Sequence, residues 1–551
     1  MSVLRKIIDR ILYNDMFKDI DPNMSDSNIG GRKNKNIKNH LFIVYGIINA
    51  VVKGEAKPID IQIYDIQKAF DALWLEDSMN DLADTIPKDK QNDKMALLYE
   101  ANRRNLVAIN TPVGQTERVQ IPQIVVQGGT WGSLMCSNSI DKMGKKCHET
   151  GEHLYIYKNK VRILPLGIVD DLLAVSECGH KAVALNTFIT TQGELKKLSF
   201  HVPNTITKKS KCHKLHVGKK SFTCPDLKVH GHTMESVFKD KYLGDVLSAD
   251  GTNDATLRDR KGKAIGCMNN IMSILDTISF GHHYFSILIT LRESMFINCI
   301  LTNSEVWFGL KESDLKELEN IDRTLLRKAL KSPISTPKEA YYLELGITNI
   351  SCIIKQRRVK YLYYLLKTDK RSMLHKFFQA MLENPTKDDW TESVLQDLAD
   401  FDIKADLQAL GSMAKSTFKN LIKTKGKEFT LDRLNQKKFE HSKMENLVYT
   451  ELKTQDYLLS TDITTEQKRQ IFLFRTRMAD FSENYKNENA AKPCRMCHLY
   501  RDSQVHAVNC LETMKHVSEK GNIDEVYTNN ISRETAIMIT QIYKARKNKL
   551  G

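Results

Sequence analysis

Apolar and polar positions follow two different periods along this chain. Residues 1–20 carry Leu4, Ile7, Ile8, Ile11 and Leu12 at helical spacing, which predicts an amphipathic helix with those side chains on one face. A polar, basic stretch containing Gly30 and Gly31 runs from Ser27 to Asn39, and an apolar helix follows through Leu41–Val52. In Pro58–Asp65 the period changes, because Ile59, Ile61 and Ile63 alternate with other residues as a strand requires. Helical spacing returns at once with Leu75, Met79 and Leu82. Residues 162–175 set Asp170 and Asp171 between two short apolar runs, which predicts a buried β-hairpin with the pair at its tip. From about residue 255 the pattern is mostly helical. Leu315, Leu318, Ile321, Leu325 and Leu330 form a stripe that stops before Pro333, and Lys355–Lys367 reads as a further helix. Residues 380–490 are polar with weak periodicity and read as helical linker.

Composition changes this picture in one respect. The 551 residues are too many for one core, and 41% hydrophobic with 27% charged residues is ordinary for a globular chain. The charge is not ordinary: 82 Lys+Arg against 67 Asp+Glu leave a formal +15, which suits a polyanionic partner such as nucleic acid. No segment has the unbroken apolar run of about 20 residues that a membrane span requires, and the amino end lacks a secretory pattern. The 11 cysteines are scattered except near the carboxyl end, as expected of thiols in a reducing compartment.

Two adjacent carboxylates at a hairpin tip repel one another unless a cation or hydrogen bonds hold them. Asp65, at the end of the predicted strand, is a third. The wording around them is specific. Tyr64-Asp-Ile-Gln-Lys-Ala-Phe-Asp71, Gln127-Gly-Gly-Thr-Trp-Gly-Ser133 and Ile168-Val-Asp-Asp171 come in the order of polymerase motifs A, B and C. They resemble the reverse transcriptases of non-LTR (LINE-type) retrotransposons. Leu198–Lys220 resembles motif D, Lys241–Leu247 the primer-grip motif E, and Asn28-Ile-Gly-Gly-Arg-Lys-Asn-Lys35 the fingers segment that contacts the incoming triphosphate.

The resemblance implies an α+β right-hand polymerase with an antiparallel palm sheet, a mostly helical carboxyl-terminal region and a small zinc knuckle. Its parts would be partial fingers (1–58), palm (59–253, with an interleaved fingers segment near 85–125) and thumb (254–345). A helical linker (346–485), a knuckle (486–520) and a basic tail helix (521–551) would follow. The implied function is RNA-directed DNA polymerisation with an RNA template, a DNA primer or target and dNTPs as partners, inside the cell, in the nucleus or a ribonucleoprotein. Asp65, Asp170 and Asp171 would hold two Mg²⁺ (or Mn²⁺) ions, the arrangement that activates a primer hydroxyl and neutralises the transferring phosphate. Phe70 falls at the steric-gate position, Gln127 and Gly128 near the nascent base pair, and Arg32 at a triphosphate contact. A motif D lysine is implied near the leaving pyrophosphate, and Lys208, Lys209 and Lys211 are equal candidates. Two positions depart from the pattern: Ile168 stands where an aromatic is usual, and Leu134 where proline commonly follows the serine. Met1 falls inside the expected fingers, which reads as an amino-terminal truncation. A catalytically silent nucleic-acid-binding remnant and a group II intron maturase share the palm motifs and stay open.

Cys494, Cys497, His506 and Cys510 form a C-x2-C-x8-H-x3-C pattern suited to structural, tetrahedral Zn²⁺, with His498 as a rival for His506. LINE-type elements commonly carry such a knuckle after the polymerase.

Overall fold

The computed structural model describes residues 3–33, 35–67, 69–91, 93–103, 106–120, 130–151, 153–203, 211–219, 225–277, 280–386, 388–438, 440, 442–485, 492–528 and 530–549. They form two compact units, and the chain passes between them more than once. Met1–Ala255, Val306–Gly309 and Tyr364–Ser393 make the first; Thr256–Glu305, Leu310–Tyr363 and Val394–Gly551 make the second.

The first unit is built on a five-stranded sheet. In chain order its strands are β1 (Ile59–Asp65), β2 (Leu166–Ile168), β3 (Asp171–Glu177), β4 (His213–Val217) and β5 (Glu235–Val237), arranged β5-β4-β1-β3-β2. Only the β4–β5 pairing is parallel. Alternation in a strand ordinarily leaves one face in water, yet six of the seven β1 residues are buried. The helix His180–Leu195 covers the second face and meets two of its polar side chains, Gln62 and Tyr64. Gln62 Nε2 donates to Ala182 O at 3.0 Å, Tyr64 OH donates to Gln62 Oε1 at 2.6 Å, and Asn186 Nδ2 donates to Tyr64 OH at 2.9 Å. Each buried polar atom so met avoids a desolvation cost of about 1–3 kcal/mol.

The helix Ile37–Val52 is apolar nearly all round and accordingly lies inside the unit. Phe42 packs edge-on to Trp390 and Phe377, and Phe377 sits where any side chain at Gly46 would be. Residues beyond 363, read from sequence as linker, thus supply part of the first core. The amino-terminal helix also differs from its reading. It spans Val3–Ile20, but its buried stripe is Leu12, Tyr13, Met16, Phe17 and Ile20, while Ile7, Ile8 and Ile11 are exposed. Aromatic rings decide the face: Tyr13 stacks on Phe17 and meets the edge of Trp131.

The motif E segment is a hairpin, Lys239–Tyr242 with Asp245–Ser248, turning at Leu243 and Gly244, both at positive φ. Its Asp245 is fully buried and accepts from Trp307 Nε1 at 3.0 Å and Tyr45 OH at 3.1 Å.

The second unit is helical. Glu312–Leu330 buries Leu318, Leu325 and Leu330 of its expected stripe and also Leu326, while Leu315 and Ile321 are half-buried; Ile350–Lys367 contains the further helix. Among the described residues, 394–475 carry helices that bury Phe418, Ile422, Leu434, Leu458 and Phe472. The expected tail helix, Arg533–Asn548, is packed: Ala536, Ile539 and Ile542 are buried, and Arg546 pairs with Asp502 at 2.7 and 2.9 Å. Among the described residues no helix is long and apolar enough to cross a membrane.

A buried ion pair ties distant parts of this unit together. Glu344 accepts from Arg475 Nε at 3.0 and 3.1 Å, from Tyr457 OH at 2.8 Å and from Tyr449 OH, while Arg475 Nη1 donates to Val526 O and Thr528 O. Glu344→Gln leaves the Arg475 charge uncompensated in the core. The expected loss is about 3–5 kcal/mol of unfolding free energy, read as a lowered midpoint in urea at pH 7.

Candidate active site

The hairpin of β2 and β3 places two of the three carboxylates. Ile168 pairs with Asp171, which leaves Val169 and Asp170 as the two-residue turn. Such turns need positive φ, and Val169 adopts φ 55° although a β-branched residue strongly disfavours it. Its surroundings hold it there. Cys136 Sγ, on the helix Gly132–Thr150, donates to Val169 O at 3.2 Å, and Ile66 N donates to Asp170 O at 3.2 Å. Behind the turn runs the segment Ser27–Gly31. Gly167 N donates to Ser27 O at 2.9 Å and Ile29 N to Gly167 O at 3.1 Å, a strand-like addition to the hairpin. A side chain on Gly30 would clash with Ser137 Oγ and lie 2.8 Å from Val169 N, so only glycine lets the two backbones approach this closely.

The third carboxylate comes from β1, whose last residue, Asp65, stands opposite Asp171 in the antiparallel register. Asp65 O accepts from His201 N at 2.9 Å. Asp65 Oδ2 lies 3.0 Å from Lys211 Nζ and 3.2 Å from His201 Nε2, but neither is aligned for a hydrogen bond, so this buried oxygen keeps an unmet lone pair. Asp171 feels both neighbours. Burial first, and then the charges of Asp170 and Asp65, push its carboxyl up to about 6 despite the opposing charge of Lys211. These are hard oxygen donors with an excess of negative charge, which suits divalent cations. One oxygen from each does not bring the three within 4.8 Å of one another, so they do not close into a cage around a single ion.

The other sequence-predicted residues distribute unevenly. Phe70 lies on the short helix Ala69–Ala72, half-buried against the core of the first unit. Lys211 is well exposed and reaches Asp65. Lys208, Lys209, Gln127 and Gly128 lie outside the described residues. Arg32 is buried and bound to its own loop: Nε and Nη2 donate to Asp21 and Nη1 to Ser25 O and Asn28 O. Its guanidinium therefore closes the turn behind the hairpin. Three contributors escaped the sequence reading: Gly30, Cys136 and His201. The Gly30-Gly31 pair was a usable signal of close backbone approach; a single Cys on a helix or a single His after a strand is not.

In the second unit Cys494, Cys497, His506 and Cys510 converge, with one ligand atom from each within 4.8 Å of all the others. Cys494 Sγ is 3.9 Å from Cys510 Sγ, and Cys497 Sγ is 3.3 Å from His506 Nε2. The backbone N–H of Leu499, with that of Tyr500 and His506 itself, holds the Cys497 thiol down to about 6. His498, the rival ligand, instead takes the left-handed conformation (φ 61°) that turns the chain back, its N–H donating to Cys494 O at 2.8 Å.

No protein-family model and no curated protein matches the chain. Among solved structures, telomerase from Candida tropicalis in complex with a TWJ fragment of telomeric RNA is similar at 11% identity and TM-score 0.36, over 76% of this chain and 56% of that one. The corresponding Candida albicans telomerase complex gives 14% and 0.31, over 61% and 56%. Apo telomerase from Candida tropicalis gives 10% and 0.35, over 76% and 61%. This chain thus spans little more than half the length of those telomerase chains. Likeness at this level carries no argument about function, which rests on the geometry.

Proposed function

We propose that the chain is an RNA-directed DNA polymerase of the non-LTR retrotransposon type, extending a DNA 3′ end on an RNA template. One observation carries the reading: the register that sets Asp65 opposite Asp171, with Asp170 on a turn braced from behind. Asp65 and Asp170 are the principal ligands for two Mg²⁺ (or Mn²⁺) ions, with Asp171 in support. When bound, such a pair acidifies the primer hydroxyl and neutralises the transferring phosphate, and the open spread of the carboxylates suits cations roughly 3.5–4 Å apart. The rest falls to side chains. Phe70 bounds the sugar pocket and selects dNTPs, while Lys211, released from Asp65, becomes a mobile cation for a phosphate. Gln127 and Gly128 line the nascent base pair, and Lys208 or Lys209 is an alternative to Lys211.

A second reading, a silent nucleic-acid-binding chain, is favoured by the pairing of Asp65 with Lys211 and His201. Both readings put the positive excess of the chain on RNA or DNA and make binding weaken steeply with salt.

Primer extension on poly(rA)–oligo(dT) with Mg²⁺ separates them. Activity is expected from the unmodified chain and a fall of at least ~1,000-fold in Asp170→Asn, since the loss of one metal ligand removes several kcal/mol of transition-state stabilisation. Salt-sensitive RNA binding without extension establishes the silent reading.

The site also makes stability depend on pH. A carboxyl whose folded value is raised favours the folded state at low pH and loses that contribution as pH rises through about 6. In EDTA, Asp171→Asn is therefore expected to be more stable than the unmodified chain at pH 8, by about 1 kcal/mol after solvent screening, and no more stable at pH 4. Urea titrations at the two pH values read the difference.

We also propose that Cys494, Cys497, His506 and Cys510 hold one structural Zn²⁺. Cys510→Ser is expected to lower the bound zinc by one equivalent and to make the Asp480–Lys549 region sensitive to proteolysis while the first unit stays resistant.

A further inference from the structure

The sheet carries a second group of metal-ligating side chains, at the end away from Asp65. Asp60, Cys178 and His216 each offer one ligand atom within 4.8 Å of the other two. Their convergence follows from strand geometry. Asp60 is the second residue of β1 and pairs with Ser176 of β3 on one side and His216 of β4 on the other. Side chains two apart share a face, so Cys178, just beyond β3, projects on the same side as Ser176. Its N–H donates to Pro58 O at 3.0 Å, which fixes it beside the start of β1. Asp65 is five residues along the same strand, roughly 16 Å away and on the opposite face.

The environment of this group is unusual for three side chains that merely share a surface. Asp60 is fully buried at 0% exposure. Its Oδ1 lies 2.9 Å from His216 Nδ1, and its Oδ2 has no hydrogen-bond partner. A buried carboxylate oxygen left unmet is costly, and a cation placed beside it removes that cost. Cys178 and His216 are half-buried, so the group is reachable from solvent.

We propose that Asp60, Cys178 and His216 form a transition-metal site, with Zn²⁺ as its natural occupant. Carboxylate, imidazole and thiolate together exclude Mg²⁺, which takes oxygen donors, and match the borderline ligand set of Zn²⁺ and Co²⁺. Three protein ligands leave a fourth position for water. The ion would tie together the ends of β1, β3 and β4, two of which carry Asp65 and Asp171 at their other ends. This is a structural clamp, independent of whether the chain polymerises DNA and of the cysteine cluster in the second unit.

The test counts metal on the full chain. The protein is stripped with chelator, loaded with Zn²⁺ in millimolar Mg²⁺, desalted and measured by mass spectrometry of the metal. Cys178→Ser and the isosteric Asp60→Asn are each expected to lower the zinc content by one equivalent. The same loss is expected in a Cys494→Ser/Cys510→Ser background, where the other cluster has been removed. Co²⁺ added to that background is expected to give a thiolate-to-metal absorption band that disappears with Cys178→Ser. Unchanged zinc content in both Cys178→Ser and Asp60→Asn overturns the proposal, whatever happens to the carboxyl-terminal zinc. If Cys178→Ser fails to fold, as judged by circular dichroism, Asp60→Asn decides by the same count.

Discussion

Holding Asp65 across from Asp171, with Asp170 one residue away, is the constraint on which the first unit turns. Three carboxylates gathered at the ends of two buried strands repel one another, and burial removes the water that would otherwise screen them. The structure meets this strain with rigidity. β1 lies in the middle of its sheet and is fastened on both edges. The Val169 turn is held in a conformation its side chain resists, by a thiol in front and a glycine-containing segment behind. Cationic and imidazole groups from Lys211 and His201 crowd Asp65 from the open side. No single contact among these is strong; together they determine where negative charge accumulates on a strongly basic protein.

The polarity of the sheet repeats that logic at its far end. There Asp60 is buried with a histidine partner, and the strand alternation that sends Asp65 to one face sends Asp60 to the other. The helical unit handles buried charge differently. Glu344 with Arg475, Arg292 with Asp322 at 2.6 and 2.8 Å, and Arg546 with Asp502 are full ion pairs, with tyrosine hydroxyls on the carboxylates of the first two. Buried pairs of this kind add little net stability but penalise every arrangement in which the partners are separated. They specify how these helices pack.

Much of the site was legible from sequence, and the reasons are local. The Ile59-Ile61-Ile63 alternation and the two apolar runs around Asp170-Asp171 are set by the strand period, so the hairpin and the strand emerge where expected. The misread features depend on partners far along the chain. Ile7, Ile8 and Ile11 make as good a helical stripe as Leu12, Met16 and Ile20, and the core that decides between them, Trp131 included, lies far along the chain. The stretch after residue 380 looked like linker because its apolar residues are few; they are large, and Trp390 alone fills space that several smaller side chains would need. Asp60, Cys178 and His216 have no shared motif, since three separate strands bring them together.

The return of Tyr364–Ser393 to the first unit has a consequence for the newborn chain. Phe42 and its helix are made early, but Phe377 and Trp390, which pack on Phe42, are made only after all of residues 256–363. At about 5–20 residues per second, the stretch between Phe42 and Phe377 takes some tens of seconds. Over this interval a nearly all-apolar helix lacks the rings of Phe377 and Trp390. A chaperone that holds exposed apolar segments would find its target there, and synthesis rate through that window would govern the yield of folded protein.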